Sequence, residues 1–314
     1  MDIAALDQVR LNFNPQGLFV INAAIGLMML GVALDLKLDD FKRIFIAPKA
    51  PGIGLGAQFI LLPALTFLLT LILRPPSSIA LGMILVAACP GGNLSNIITY
   101  LARGNSAVSV SMTAVSTLAA ILMTPLNLSL WGSLNPGTAR ILKAVHLSPL
   151  DVFITVFIIL GVPLGIGMLI SNSFPAIADK IRRPFKIFSL VFFIGIVAAA
   201  LAVNWQNFVD YVGLVFIGVL IHNALALNLG YWSGHLFHLN EPDKRAVSIE
   251  VGIQNSGLGL VLVFNFFEGL GGMAIIVAWW GIWHIIAGLM TAYIFSRRPL
   301  PTDNRVYWGN ETIK

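Results

Sequence analysis

A single acidic side chain, Glu250, stands inside one of the long apolar stretches of this sequence, whereas Asp151, Asp210 and Glu268 fall at the ends of such stretches. At membrane depth a charge costs about 2.5–3.5 kcal/mol even on a lenient scale, so it requires compensation. No Lys or Arg is embedded to supply it, which leaves a bound cation, a proton, or snorkelling to a nearby surface. Oxygen donors recur in the same part of the sequence pattern. Ser95 and Asn96 stand together, Ser109 and Thr113 fall one helical turn apart, and Ser116 and Thr117 continue that stripe. Gln254 follows Glu250 by four residues, on the same helical face, and Gln58 is an isolated amide in another apolar run. Hydroxyls, amide oxygens and a carboxylate are hard ligands suited to Na⁺, and no second His or Cys accompanies them for a transition metal. Any one hydroxyl alone would equally serve to glue packed helices, so the cation reading rests on the whole set.

The elements that hold these residues are membrane spans. Hydrophobic residues make up 57% of the 314 and charged residues 11%. A soluble domain carries about 25% charged residues. Mean hydropathy is +0.87. Since an apolar slab about 30 Å thick takes roughly 20 residues to cross, a chain of this length supplies eight to ten spans and little else. Apolar runs between polar punctuation predict helices over 17–34, 51–73, 78–103, 106–131, 148–171, 186–203, 209–233, 245–267 and 271–295, about nine in all. Residues 1–16 lack the apolar core of a cleavable signal, so the first span is expected to be retained. With the N-terminus outside, only Arg10, Arg74, Arg140 and Lys143 of the 19 basic residues face outward, leaving 19 − 4 = 15 inside. The positive-inside rule therefore explains the net charge of +5 as orientation, with no need of an anionic macromolecule.

Two spans carry interruptions. Cys89-Pro90-Gly91-Gly92-Asn93-Leu94-Ser95-Asn96 places a proline, two glycines and polar side chains mid-span, and Glu250-Val251-Gly252-Ile253-Gln254-Asn255-Ser256-Gly257 does the same five spans later. In lipid an unpaired backbone group costs several kcal/mol, so two unwound segments should face each other across protein or a wet cavity. Because a repeat of five spans returns with opposite orientation, the pattern predicts an inverted repeat of four plus five helices, with the site at the broken helices. A lone Cys89 excludes a disulfide framework and any CxxC motif. His222 and His284 lack carboxylate neighbours and read as packing groups rather than a proton relay. Gly161 and Gly165 suit close helix contact, no GKS or GKT loop offers a nucleotide site, and no hydrolase constellation is evident.

Those two interrupted motifs resemble the bile acid:sodium symporter family, over about Gly17 to Ser296. The resemblance implies an all-α polytopic membrane protein in which two inverted five-helix repeats form a core and a panel domain, with two broken helices crossing. The first helix of the ten-helix plan is missing here. The panel would comprise 17–34 and 148–203 and the core 51–131 and 209–295. Residues 1–16 would be extracytoplasmic and 297–314 a cytoplasmic tail. Two co-transported sodium ions are implied, the first held by Ser95, Asn96, Ser109, Thr113 and Glu250, the second by Gln58, Glu250, Gln254 and the carbonyls of Val251 and Ile253. Asn93 and Asn255 would face the substrate, a small organic anion such as a bile acid, pantoate or another organic acid. A proton-coupled or uncoupled carrier with a titrating Glu250 is the alternative. A lipid bilayer, taken as a bacterial inner membrane, is the expected setting, with no nucleic acid and no obligate protein partner.

Overall fold

The computed structural model describes residues 15–36, 38–145, 149–203 and 205–300, and every regular element among them is helical. In chain order these are α1 (Pro15–Ala33), α2 (Leu38–Ile46), α3 (Lys49–Gly56), α4 (Leu62–Leu73), α5 (Ser77–Ala88), α6 (Leu94–Leu101), α7 (Ser106–Leu134) and α8 (Pro136–Ala144). They continue as α9 (Pro149–Val156), α10 (Val162–Ser173), α11 (Pro175–Val203), α12 (Trp205–Leu236), α13 (Glu241–Gly252), α14 (Ser256–Phe266) and α15 (Gly271–Arg297). Five described stretches, Lys49–Leu73, Ser106–Leu134, Leu150–Ser173, Val215–Leu236 and Gly271–Arg297, are long and apolar enough to cross a membrane.

Proline shapes two of them. A π-helical turn, Ala57–Leu61, joins α3 to α4, and another, Phe157–Gly161, joins α9 to α10. Each lies just before a proline, Pro63 or Pro163. Having no N–H, Pro63 cannot bond the Phe59 carbonyl four residues back, and the helix absorbs the mismatch by widening. Asn127 of α7 donates its Nδ2 to that freed oxygen at 3.0 Å. The wide turn carries Gln58 on its buried side.

Where a helix is apolar all round, it belongs in the interior. α5 follows this rule, with every residue from Ser78 to Ala88 buried, and α14 is buried from Ser256 to Phe264. α15 packs against both, α4 and α7 against α5, and α1 against α14, while α1 lies chiefly against α10 and α11. Exposed Leu, Ile and Phe side chains, such as Ile72 at 76%, form the outer belt expected to meet lipid. Basic residues secure helix ends: Arg182 donates to the Leu34 carbonyl (Nη2, 2.9 Å) and pairs with Asp35 (3.1 Å). Buried Arg245 donates to the carbonyls of Ala102 (3.0 Å) and Arg298 (3.1 Å), drawing together the ends of α6 and α15 and the start of α13.

One expected element limit needs correction. α11 begins at Pro175, not at 186, so the charged stretch 172–183 is helical except for Phe174. Charge marks where a helix leaves the apolar layer, not where its hydrogen bonds stop. The short helices α2 and α8 were not anticipated either. α2 carries two acids in its first turn and largely exposed Phe45 and Ile46 at its end, the pattern of a helix lying at an interface. The proposed N-terminal segment and the C-terminal tail lie mostly outside the described residues.

Candidate functional site

The two interruptions meet. Between α5 and α6 the chain is extended at Pro90-Gly91-Gly92, and between α13 and α14 it is extended at Ile253-Gln254-Asn255. The Gly92 N–H donates to the Ile253 carbonyl and the Asn255 N–H to the Pro90 carbonyl, both at 2.8 Å. This antiparallel bridge, centred on Gly91 and Gln254, satisfies backbone groups that lipid could not. Glycine is needed for the approach. A Cβ at Gly91 would strike Oε1 of Glu250, and one at Gly92 would sit 3.1 Å from the Gln254 carbonyl oxygen.

Beside the crossing, Glu250 points back between α6 and α7. Its Oε2 accepts from Ser95 Oγ at 2.5 Å and Ser109 Oγ at 2.9 Å, and its Oε1 from Thr113 Oγ1 at 2.6 Å. Asn96 Oδ1 lies 2.8 Å from Ser109 Oγ and 3.2 Å from Thr113 Oγ1. Further approaches link Thr113 Oγ1 to Ser95 Oγ (3.4 Å) and to the Ser109 carbonyl (3.1 Å). Three hydroxyl hydrogens are shared among all seven of these oxygen-to-oxygen approaches, so each must serve more than one acceptor. All four of Ser95, Ser109, Thr113 and Glu250 are fully buried. Six side-chain oxygens from five residues thus converge on three hydroxyl hydrogens, an arrangement that draws a cation.

A second polar group lies on the other side of the crossing. Gln58 Nε2 donates to the Cys89 carbonyl (3.0 Å) and to Gln254 Oε1 (2.7 Å), and Gln254 Nε2 donates to the Val251 carbonyl (2.7 Å). Gln58 Oε1 is buried with no partner. Thus Gln58, Gln254 and Val251 come together, while the Ile253 carbonyl is engaged by Gly92. Glu250's side-chain bonds all run to the first group, so the two groups join through the backbone of 250–254.

Asn93 and Asn255 flank the crossing, each half-buried. Asn255 caps α14 by accepting from the Leu258 N–H at 3.0 Å, and its Nδ2 lies 3.9 Å from Met29 Sδ of α1. Ser116 and Thr117 instead bond the Thr113 carbonyl of their own helix, outside the oxygen cluster. Cys89 is a buried free thiol. His222 shares a 2.7 Å hydrogen bond with Thr66 and packs 4.6 Å from the Trp280 ring, while His284 is buried. Among the described residues no group of three His, Cys, Asp or Glu could hold a metal ion.

Several contributors escaped sequence reasoning. Asn223 donates to the Gly252 carbonyl at 2.8 Å, and Asn22 and Asn265 exchange reciprocal amide bonds of 2.8 and 2.6 Å between α1 and α14. Each is a single amide in an apolar run, the same signal that singled out Gln58.

A family model described as "Sodium Bile acid symporter family" matches residues 23–211. The "Uncharacterized sodium-dependent transporter YocS" of Bacillus subtilis is 34% identical over 274 residues, covering 87% of this chain and 82% of its own. The rice "Probable sodium/metabolite cotransporter BASS2, chloroplastic" is 32% identical over 271 residues, covering 81% of this chain and 62% of its own. The human "P3 protein" is 28% identical over 231 residues, of which this chain spans 47% of the length.

Proposed function

From the premise that the chain belongs to the sodium bile acid symporter family, and so is an integral membrane transporter and not an enzyme, we propose that it imports a small organic anion together with two sodium ions. The observation that carries this reading is Glu250: fully buried, with no basic partner among its bonds, and surrounded by oxygens that outnumber their protons. The first ion takes Ser95, Asn96, Ser109, Thr113 and Glu250. One Na⁺ shared among these six oxygens supplies the positive charge that their three hydroxyl hydrogens do not. The second takes Gln58, Gln254 and the Val251 and Ile253 carbonyls beside Glu250, and the unpartnered Gln58 Oε1 supports a missing positive charge there. That ion draws Glu250 Oε1 and the Ile253 oxygen toward itself. Two Na⁺ beside one carboxylate leave about +1, which attracts an anion.

Asn93 and Asn255 contact that anion, a bile acid-like, pantoate-like or other organic acid, in the cleft between two domains. α1 and α9–α11 form the panel, and α3–α7 with α12–α15 form the core. In this reading nine passes are drawn from the described residues: α1, α3–α4, α5–α6, α7, α9–α10, α11, α12, α13–α14 and α15. They divide into four and five with opposite orientation, as the antiparallel contact of the two broken helices suggests. The N-terminus is outside and the basic end cytoplasmic, in a bacterial inner membrane.

The test is uptake of radiolabelled organic acids into proteoliposomes under an imposed sodium gradient. Uptake that follows the sodium gradient, and not a proton gradient of equal size, is expected. Uptake driven by protons alone would favour Glu250 as a titrating group instead.

A further inference from the structure

α12 and α13 pack unusually closely. A Cβ at Gly252 would strike the Leu227 side chain, and one at Gly230 would lie 2.6 Å from the Val247 carbonyl oxygen. Two side chain-to-backbone bonds cross this seam in opposite directions: Ser248 Oγ donates to the Leu227 carbonyl at 2.8 Å, and Asn223 Nδ2 donates to the Gly252 carbonyl at 2.8 Å. The second bond falls where α13 ends.

The last carbonyls of a helix have no intrahelical donor and need partners from elsewhere. At this terminus the Val251 oxygen takes the Gln254 amide, the Ile253 oxygen takes the Gly92 N–H, and the Gly252 oxygen between them takes Asn223. Because each peptide unit is planar, anchoring the Gly252 carbonyl fixes ψ of Gly252 and φ of Ile253, and it limits how the neighbouring carbonyls can turn. Asn223 itself is fully buried and its Oδ1 has no partner. A buried amide that leaves its own oxygen unsatisfied to hold one backbone carbonyl is costly, and a core of Leu and Ala would avoid that cost.

We propose that Asn223 is a positioning residue for the second sodium ion: by fixing the Gly252 carbonyl against α12, it aims the flanking Val251 and Ile253 carbonyls at the ion. This rests on the two-ion reading of the site. Asn223 does not touch the ion in this account; it acts through the peptide between two ligands.

The test compares wild type with N223L, which keeps the branched shape and the number of heavy atoms, and N223A, which does not, in purified full-length protein. Equilibrium binding of radioactive sodium and melting temperature against Na⁺, at ionic strength held constant with K⁺, are both read. Wild type should bind two ions with a Hill coefficient above 1. Both variants should keep the first ion at unchanged affinity, fall to a Hill coefficient near 1 and need roughly tenfold more sodium to half-fill the second site, as expected for about 1.4 kcal/mol. Melting in K⁺ alone should move little. A variant that melts lower in K⁺ yet binds two ions with unchanged affinity would reduce Asn223 to packing and overturn the proposal, as would failure of both variants to fold. Wild type without any sodium-selective response would instead overturn the symport reading beneath it.

Discussion

Gly91→Ala should damage sodium binding without dismantling the helix crossing. The added Cβ would collide with Oε1 of Glu250 and lie 3.0 Å from Cδ and 3.4 Å from Cγ. Gly91 does not have a positive φ, so alanine fits the backbone, and the bridge to Gln254 prevents that backbone from retreating. The carboxylate must therefore give way. Oε1, held by Thr113 at 2.6 Å, is the oxygen proposed to face the ions, and a contact with a charged group contributes about 1.5–3 kcal/mol. At about 1.4 kcal/mol per factor of ten, losing it predicts a roughly 10- to 150-fold rise in the sodium concentration for half-saturation. Sodium-dependent thermal shift in detergent reads this directly. Gly52→Ala is the control, because a Cβ there meets nothing within 4 Å, and at a helical glycine the change should be neutral or stabilising by about 0.5–1 kcal/mol. Sodium affinity unchanged in Gly91→Ala would show that the position of Glu250 Oε1 does not matter to the ion, and the geometric argument would fail.

Three other perturbations follow from the same contacts. Arg245→Met leaves the buried Ala102 carbonyl and the exposed Arg298 carbonyl without this donor and should cost about 1–3 kcal/mol of stability, seen as a lower melting temperature with sodium selectivity retained. Asn93→Ala and Asn255→Ala should weaken anion binding while sparing sodium-induced stabilisation; the second also loses the cap on α14 and about 1 kcal/mol of stability. Cysteines at 22 and 265, replacing the reciprocal amide pair between α1 and α14, should block uptake when crosslinked and recover it on reduction. Free uptake in the crosslinked protein would mean that α1 and α14 need not separate.

Much of the site was legible because membrane burial makes every polar residue conspicuous. Pro90, the glycines and Glu250 announced the two breaks, and the hydroxyl spacing of Ser109 and Thr113 announced a shared face toward the carboxylate. Ser116 and Thr117 looked identical in sequence, yet they turn back onto their own helix, a choice that rotamer and neighbour decide and spacing does not. Gln58 was visible, but the π turn that presents it was not, since Pro63 reads from sequence only as a disturbance. The start of α11 was misplaced because hydropathy locates the edge of the apolar layer, while hydrogen bonding carries a helix beyond it. Asn223 and the pairing of Asn22 with Asn265 were hidden because a lone amide in an apolar run does not reveal its partner on a distant helix.

The central claim is that Glu250 holds sodium, and substituting it with glutamine tests that most directly. Glu250→Gln keeps the size and one carbonyl oxygen but removes the charge that attracts the ions. A ligand bound only to the folded state stabilises it by RT ln(1 + [L]/Kd), about 2.7 kcal/mol at a hundredfold excess. Melting of wild type and Glu250→Gln is therefore measured in Na⁺ and in K⁺ at equal ionic strength, together with binding of radioactive sodium. The account predicts a sodium-selective gain and two bound ions for wild type, and neither for the variant, which nonetheless folds in K⁺. A Glu250→Gln protein that keeps the selective gain and binds sodium as wild type does would contradict it.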